Sequence, residues 1–255
     1  MKPKALVLQA HGSNRDFDVI DALTLAGADA SGVPLNELRD QKSLLADFQL
    51  LVVPGGFSYA DALGAGKLLA LDLASYFTDE ISSFVEAGKP VIGICNGFQV
   101  LVKSGILPGK QSQAPAKNEA TLTFNAAGHF ECRWVHLKSA SENCIWTKEL
   151  TEIITCPIAH GEGNFQVTEA ISQENIALTY AKMDGTSANG AYPVNPNGSI
   201  MDIAGICNAK GNVLGLMPHP ENHIYNWQHP RHTRGETGGS GLKLFENGVN
   251  YAREM

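Results

Sequence analysis

Short apolar runs alternate with amphipathic stretches through the first part of the chain, and this alternation limits the possible folds more than any other feature. Runs of strand length and of helix length follow one another at 5–8, 16–28, 50–53, 67–76, 79–87, 91–94 and 98–103. Buried apolar runs separated by helices are typical of a parallel sheet covered by helices. We therefore expect an α/β fold with a three-layer architecture, an open, mostly parallel sheet with helices on both faces.

The second half of the chain has a different pattern, in which strand-like segments follow one another directly. They lie at 121–125, 130–137, 153–159, 177–181, 203–207 and 213–217, and a terminal amphipathic helix pattern covers 242–251. Ala127-Gly128 predicts a hairpin turn between the first two segments, and Gly211-Asn212 predicts one between the last two. We expect an antiparallel extension of the sheet and, because no repeat or linker divides the chain, a single domain over 1–255.

The composition argues against several classes of protein. The 255 residues include 19 basic and 26 acidic residues, with a formal net charge of −7. Nucleic-acid-binding modules usually carry a basic stripe, so nucleic acid is not an expected partner. No apolar stretch approaches the roughly 20 residues needed to span a bilayer, so no membrane association is expected. Five cysteines without a CxxC pair argue for a reducing compartment, and we expect a cytoplasmic protein.

Gly93-Ile94-Cys95-Asn96-Gly97 is the most informative segment of the sequence. It places a nucleophilic residue between two glycines, directly after a buried run and directly before a helix, which is the pattern of a nucleophile elbow. A tight turn there projects the Cys95 side chain away from the sheet, and the following helix directs its N-terminal amides toward the thiol. The competing interpretation is a buried structural cysteine. We predict that Cys95 is a catalytic nucleophile.

A cysteine nucleophile needs a base and a group that orients the base. The segment PHPE, residues 218–221, follows the strand-like run at 213–217. In an extended, proline-stiffened segment, residues i and i+2 point the same way, so Glu221 is placed to accept the Nδ1 proton of His219. Solvated side chains on a surface loop are the alternative interpretation. Because the pair ends a strand, we expect it to reach the same sheet edge as Cys95.

Acyl transfer also needs backbone amides placed where negative charge develops on oxygen. The segment PGGF, residues 54–57, ends the apolar run at 50–53, at the position where open α/β sheets bind ligands. We expect the amides of Gly56 and Asn96 to be the two donors. An ordinary glycine turn is the alternative. The two glycines do not match a phosphate-binding loop, which has the spacing GxxxxGK[ST].

Two further groups of residues carry weaker signals. The first is a set of histidines, His219, His223, His229 and His232, and the second is the remaining cysteines, Cys132, Cys144, Cys156 and Cys207. The histidines have irregular spacing and no cysteine beside them, so we predict no metal site and interpret them as solvated loop residues. The four cysteines lie on or beside apolar runs and are predicted to be core residues.

Taken together, these segments resemble the triad-type (class I) glutamine amidotransferases. The elbow extended to Phe98-Gln99, the segment PGGFSY at 54–59 and PHPE at 218–221 carry this resemblance. Three further segments resemble the glutaminase subunits of phosphoribosylformylglycinamidine synthase, an enzyme of purine biosynthesis: FECRWV at 130–135, PIAHGEG at 157–163 and YPVNPNGS at 192–199. The resemblance extends from about Ala5 to Glu221.

The resemblance implies a role for each residue of the triad. Cys95 would attack the side-chain amide of L-glutamine and form a thioester. His219 would protonate the departing ammonia and later activate water, and Glu221 would orient His219.

For other positions the resemblance implies binding roles and two departures. The amides of Gly56 and Asn96 would hold the oxyanion, and Gln99 would help to hold the thioester intermediate. Ala60 stands where the family pattern has glycine, and Asn222 stands where it has arginine. Neither departure touches the triad; both concern the loops at the mouth of the site, where a partner would dock.

The resemblance also implies partners. Ammonia would pass through a channel to a separate synthetase subunit, which uses ATP to activate formylglycinamide ribonucleotide, and a small third subunit would bridge the two. The chain has no ATP-grasp or kinase-like motif. No cofactor is therefore expected in this chain, and ATP and Mg²⁺ are expected on the synthetase subunit.

Three other assignments stay open on the sequence alone. A cysteine hydrolase of the deglycase-like family has a similar elbow, but usually carries histidine where Asn96 stands and lacks a late PHPE segment. A catalytically silent binding subunit of the same fold would usually have lost one of Cys95, His219 and Glu221. A glutaminase serving a different synthetase would not need the purine-type segments.

Overall fold

A computed structural model of the chain describes residues 1–109, 120–236 and 239–255. Residues 110–119 and 237–238 of the predicted 1–255 domain lie outside the described residues. The described strands are β1 (Lys4–Gln9), β2 (Asp29–Pro34), β3 (Leu50–Val53), β4 (Val91–Ile94), β5 (Ala120–Thr123), β6 (Glu131–Ser139), β7 (Ile154–His160), β8 (Asn164–Val167), β9 (Ile176–Ala181), β10 (Ile203–Cys207) and β11 (Val213–Leu216). The described α-helices are α1 (Asp16–Leu25), α2 (Leu35–Asp40), α3 (Lys67–Tyr76), α4 (Thr78–Glu86), α5 (Asn96–Lys103) and α6 (Leu242–Glu254).

Nine of the described strands form one sheet in the order β2-β1-β3-β4-β11-β10-β9-β6-β7. Neighbouring strands run parallel from β2 to β11 and antiparallel from β11 to β7. Every residue of the central strands β3, β4 and β11 is buried, as expected for parallel strands that are covered on both faces. The predicted mostly parallel sheet with an antiparallel extension is confirmed.

Helices cover both faces of the parallel part of the sheet, as predicted. α1 packs with α6, whereas α3 packs with α5, and α5 also contacts β3, β4 and β11. The carboxyl ends of these three strands therefore meet beside α5, at one edge of the sheet. None of the described helices combines the length and the apolar composition needed to cross a membrane.

Parts of the predicted pattern differ from the structure. β5 and β6 do not form the predicted hairpin, because β5 pairs with β8 in a separate two-stranded sheet and β6 pairs with β7 and β9. The edge strand β2 has no apolar run to reveal it, since its sequence DASGVP includes glycine and proline. By contrast, β10 and β11 form the predicted antiparallel hairpin around Gly211.

The cysteines are free, and most of them lie in the core. Cys144, Cys156 and Cys207 are buried, as predicted, whereas Cys132 is exposed, so the prediction is wrong for that residue. Cys132 lies on β6, where buried residues alternate with more exposed ones. Alternate side chains of a strand point to opposite faces, and Cys132 is on the face away from the core.

Candidate active site

The turn from strand to helix at Cys95 has the geometry of a nucleophile elbow. Cys95 lies between β4 and α5 and has φ 51° and ψ −106°. A non-glycine residue at positive φ is strained, and it persists only where the surrounding structure holds it. Here the amide of Cys95 donates a hydrogen bond of 2.8 Å to the carbonyl oxygen of Leu216. The neighbouring strand β11 thus holds the strained residue.

Close backbone packing explains why glycines flank Cys95. A Cβ added to Gly97 would lie 1.9 Å from the carbonyl oxygen of Val53, and one added to Gly93 would lie 2.7 Å from the carbonyl oxygen of Gly97. Side chains do not tolerate such contacts with backbone atoms. The glycine spacing of the elbow therefore has a steric cause, which is the packing of the first turn of α5 against the end of β3.

The thiol of Cys95 lies at the positive end of α5. Cys95 is the N-cap residue of this helix, and the amides of a first helical turn have no acceptor within the helix. The residue is 5% exposed, and its Sγ lies 3.7 Å from the carbonyl oxygen of Ala159. The helix dipole consequently places partial positive charge beside the thiol.

Parallel pairing of β4 and β11 brings His219 to the same sheet edge as Cys95. Ile94 lies opposite Leu216 in this pair, so the residues that follow the two strands are neighbours. His219 is 4% exposed and Glu221 is 1% exposed, and 2.6 Å separates His219 Nδ1 from Glu221 Oε1. The predicted pair therefore forms beside Cys95, and its interpretation as solvated side chains is wrong.

A turn, and not extended backbone, brings the members of this pair together. Residues Pro220–Asn222 form a 3-10 turn that starts with proline. The predicted extended conformation is therefore wrong, although the predicted contact exists. Proline has the φ that a helical turn requires at its first position, and the turn directs the carboxylate of Glu221 back toward the ring of His219.

The charges around His219 keep its imidazole protonated at neutral pH. Burial by itself lowers the pKa of His219, but the negative charges of Glu221 and Cys95 and their hydrogen bonds outweigh it and raise the pKa to about 10. Because Glu221 occupies Nδ1, Nε2 is the atom that remains for the hydrogen bond with Cys95. The arrangement stabilises an imidazolium next to the nucleophile.

The Gly55-Gly56 turn packs closely against the ring of His219. A Cβ added to Gly55 would lie 2.8 Å from Cε1 of His219. Gly56 is paired with Ser13 in an isolated β-bridge. Within the parts of the chain that the structure describes, the amides of Gly56 and Asn96 have no backbone acceptor. Both expected oxyanion donors thus lie on segments next to the triad, and their role stays a prediction.

Asn96 and Gln99 are buried on the first turn of α5, and their side chains bind each other. Asn96 Nδ2 donates to Gln99 Oε1 at 3.0 Å, and Gln99 Nε2 donates to the carbonyl oxygen of Glu162 at 2.6 Å. The Gln99 side chain therefore binds protein groups. Its predicted contact with a thioester stays a prediction.

One buried histidine beside the site is not predicted from the sequence. Burial, followed by the charge of His219, lowers the pKa of His160 to about 3. His160 Nδ1 lies 3.1 Å from Asn125 Oδ1, and Asn125 Nδ2 donates to the carbonyls of His129 and His160. Because Nδ2 of Asn125 makes these two bonds, Oδ1 is the atom that faces His160. Neutral His160 therefore carries its proton on Nδ1 and donates it to Oδ1. The sequence signal for His160 is its place in the segment PIAHGEG, residues 157–163.

The histidines near the C-terminus are not a solvated cluster. His223 is fully buried, and its ring packs edge-on against Trp134 with 5.2 Å between centroids. His229 contacts the same indole at 5.3 Å, and His232 is exposed. The interpretation as solvated residues is wrong for His223, because β6 offers an aromatic surface to this segment. Outside 110–119 and 237–238, no group of three or more His, Cys, Asp or Glu side chains could hold a metal ion.

Comparisons with known proteins agree with this geometry. A family model described as a CobB/CobQ-like glutamine amidotransferase domain matches residues 2–252. The phosphoribosylformylglycinamidine synthase subunit PurQ of Treponema denticola is 54% identical, over 98% of this chain and 99% of its own. The PurQ subunit of Dehalococcoides mccartyi is 42% identical, over 100% of this chain and 99% of its own.

Solved structures give the same result. A chain in the structure of PurLQS from Thermotoga maritima is 35% identical and has a TM-score of 0.75, covering 98% of this chain and 99% of its own. A glutamine amidotransferase from the same organism, 15% identical with a TM-score of 0.58, is similar in fold alone. The resemblance to class I glutamine amidotransferases is thus confirmed, and the chain belongs to the CobB/CobQ-like glutamine amidotransferase family.

Proposed function

We propose that this chain is the glutaminase subunit of a phosphoribosylformylglycinamidine synthase. It hydrolyses L-glutamine to glutamate and ammonia and delivers the ammonia to a synthetase subunit. That subunit converts formylglycinamide ribonucleotide and ATP to formylglycinamidine ribonucleotide. The observation that carries the proposal is the strained Cys95 beside the buried pair of His219 and Glu221. Similarity to PurQ subunits over nearly the whole chain supports the choice of partner and acceptor.

The first half of the reaction forms a thioester. Cys95 acts as a thiolate beside protonated His219, whose pKa is raised to about 10. Sγ attacks the side-chain carbonyl carbon of glutamine, and the carbonyl electrons move onto oxygen. The C–N bond then breaks as Nε2 of His219 gives its proton to the departing nitrogen. Ammonia leaves, and a γ-glutamyl thioester remains on Cys95.

The second half hydrolyses the thioester. Neutral His219 takes a proton from water, and the resulting hydroxide attacks the thioester carbonyl. The C–S bond breaks, glutamate leaves, and the thiolate and imidazolium are restored. Glu221 stays ionised and holds the ring through Nδ1. In both halves the amides of Gly56 and Asn96 stabilise the negative oxygen.

The same proposal places the chain in an assembly. Its partners are the synthetase subunit and a small bridging subunit; ATP and Mg²⁺ belong to the synthetase, and this chain needs no cofactor. The similarity to a chain of PurLQS supports this arrangement. We also place the protein in the cytoplasm, which the five free cysteines support.

Covalent labelling tests the nucleophile and the substrate together. A diazoketone analogue of glutamine, applied to the assembled complex and followed by peptide mapping, is expected to modify Cys95, and excess glutamine is expected to block the modification. In the same complex, Cys95→Ala should abolish glutamine-dependent synthesis and leave ammonia-dependent synthesis. Equal loss of both activities, or no labelling of Cys95 in the complex, would contradict the proposal.

A further inference from the structure

The two amides assigned to the oxyanion belong to segments that are distant in sequence. One is on the Gly55-Gly56 turn, and the other is on the first residue of α5. The side chain of Asn96 joins these segments, because its Oδ1 accepts hydrogen bonds from both the amide (3.2 Å) and the hydroxyl (2.6 Å) of Ser58. Ser58 and Asn96 are each 2% exposed, so water does not compete for these bonds.

Every hydrogen-bonding position of the Asn96 carboxamide is used. Besides the two bonds from Ser58, Nδ2 donates to Asp61 Oδ1 and to Gln99 Oε1, both at 3.0 Å. A primary amide offers two acceptor and two donor positions. Rotating the amide by half a turn would bring its NH₂ group against the N–H of Ser58 and its oxygen against the carboxylate of Asp61. One orientation is therefore fixed.

The segment held by Asn96 is strained. Tyr59 (φ 53°, ψ 33°) and Ala60 (φ 54°, ψ 29°) are left-handed, and Asp61 has φ 53°. Such residues persist only where other contacts impose them. Asn96 binds Ser58, which precedes the left-handed residues, and Asp61, which is the last of them. The Asn96 side chain therefore binds both ends of the strained turn.

We propose, on the basis of the proposed function, that the hydrogen bonds of Ser58 to the Asn96 side chain set the separation of the two oxyanion donors. Ser58 is a positioning residue, since it acts through the Gly55-Gly56 turn and the backbone of Asn96. Donors are effective at about 2.7–3.1 Å from the oxyanion. A displacement of about 1 Å at such a site costs up to about 10²-fold in rate.

Ser58→Ala in the assembled complex tests this role, since it removes the hydroxyl bond and leaves the amide bond. Two rates are measured: glutamine hydrolysis, which needs the oxyanion donors, and alkylation of Cys95 by iodoacetamide, which needs only the thiolate. Peptide mapping separates Cys95 from the exposed Cys132. We expect kcat to fall about tenfold, with KM and the alkylation rate within about twofold of wild type.

Two further variants complete the experiment. Ser58→Thr keeps the hydroxyl and is expected to retain the wild-type kcat, and Ser58→Cys, with a weaker donor, replaces Ser58→Ala if the alanine variant does not fold. Ser104→Ala is the matched control, because its hydroxyl bonds to the carbonyl oxygen of Leu101 (3.2 Å) just beyond the far end of α5.

Different outcomes would contradict the role of Ser58 or the proposed function on which it rests. An unchanged kcat in Ser58→Ala would show that the hydroxyl sets no donor position. A parallel fall of kcat and alkylation would show general damage to the site. A wild-type complex that is alkylated at Cys95 but hydrolyses no glutamine would remove the proposed function itself, and the role of Ser58 with it.

Discussion

Glu221 holds His219 through one oxygen only: Oε1 lies 2.6 Å from Nδ1, while Oε2 is buried and has no partner in the described part of the chain. A buried carboxylate is costly unless an opposite charge compensates it. Protonated His219 supplies that charge. The fold thus favours the imidazolium, which is the form of His219 that must give a proton to departing ammonia.

Replacing Glu221 with glutamine should separate the effect of the side chain's size from the effect of its charge. Glu221→Gln keeps the size of the side chain but removes the charge that raises the pKa of His219 against the effect of burial. We expect kcat for glutamine to fall by at least about 10²-fold and the pKa of His219 to fall. NMR titration of His219 and kcat over a pH series measure both effects. A kcat close to that of wild type would show that the carboxylate does not act on His219.

The contact of His219 with Glu221 predicts how the free energy of unfolding depends on pH. The pKa of His219 is raised in the folded chain from 6.5 to about 10. A raised folded pKa contributes stability that is complete below the unfolded value and is lost as pH rises through the folded value. The free energy of unfolding of wild type, relative to Glu221→Gln, should therefore decrease as pH rises from 6.5 to about 10. Denaturant unfolding at a series of pH values measures it, and a constant difference would contradict the expected proton linkage.

The elements nearest the site could be predicted from the sequence because their causes are local. The glycines around Cys95 reflect atoms that would otherwise clash, and β3, β4 and β11 are continuous apolar runs because they are buried throughout. A steric requirement of this kind is visible in single residues, so the sequence predicts both the elbow and the central strands.

What the sequence did not reveal depends on distant partners. β5 pairs with β8 and not with β6, which follows it in the sequence. Nothing in the sequence of β5 or β6 predicts with which strand each of them pairs. The sequence predicts the pairing of Glu221 with His219 from an extended backbone, whereas a 3-10 turn produces it. The contact of Ser58 with Asn96 joins residues far apart in sequence, and only the packing of α5 against β3 brings them together.

Two substitutions of Cys95 distinguish its chemical role from its backbone strain. Cys95→Ala and Cys95→Gly both remove the thiol and should both abolish glutamine hydrolysis. At φ 51°, however, glycine avoids the strain that a Cβ causes. We expect Cys95→Gly to have a free energy of unfolding about 1 kcal/mol higher than Cys95→Ala, the reverse of the order in ordinary backbone. Urea denaturation decides the order, and a less stable glycine variant would argue against the strained elbow.

Gly55 should be required for the position of His219. A methyl group there would lie 2.8 Å from Cε1 of the imidazole, so Gly55→Ala must displace the ring from Cys95 or from Glu221. We expect kcat to fall by about 10²-fold, the effect of a displacement of about 1 Å. Gly161→Ala is the control, since its Cβ would meet only Phe130 at 3.8 Å. Equal activity of the two variants, measured as glutamine hydrolysis in the complex, would show that Gly55 does not constrain the ring.

Ala60 should be less favourable than the glycine that the family pattern has at this position. It is left-handed, with φ 54° and ψ 29°, a conformation that glycine reaches without the clash of a Cβ. We expect Ala60→Gly to raise the free energy of unfolding by about 1 kcal/mol. Ala74→Gly, at an exposed position of α3, is the control. It should lower the free energy of unfolding by about 1 kcal/mol, since glycine is less favourable than alanine inside a helix. Urea denaturation of both variants gives the two signs, and a loss of stability in Ala60→Gly would mean that the turn held by Asn96 does not strain Ala60.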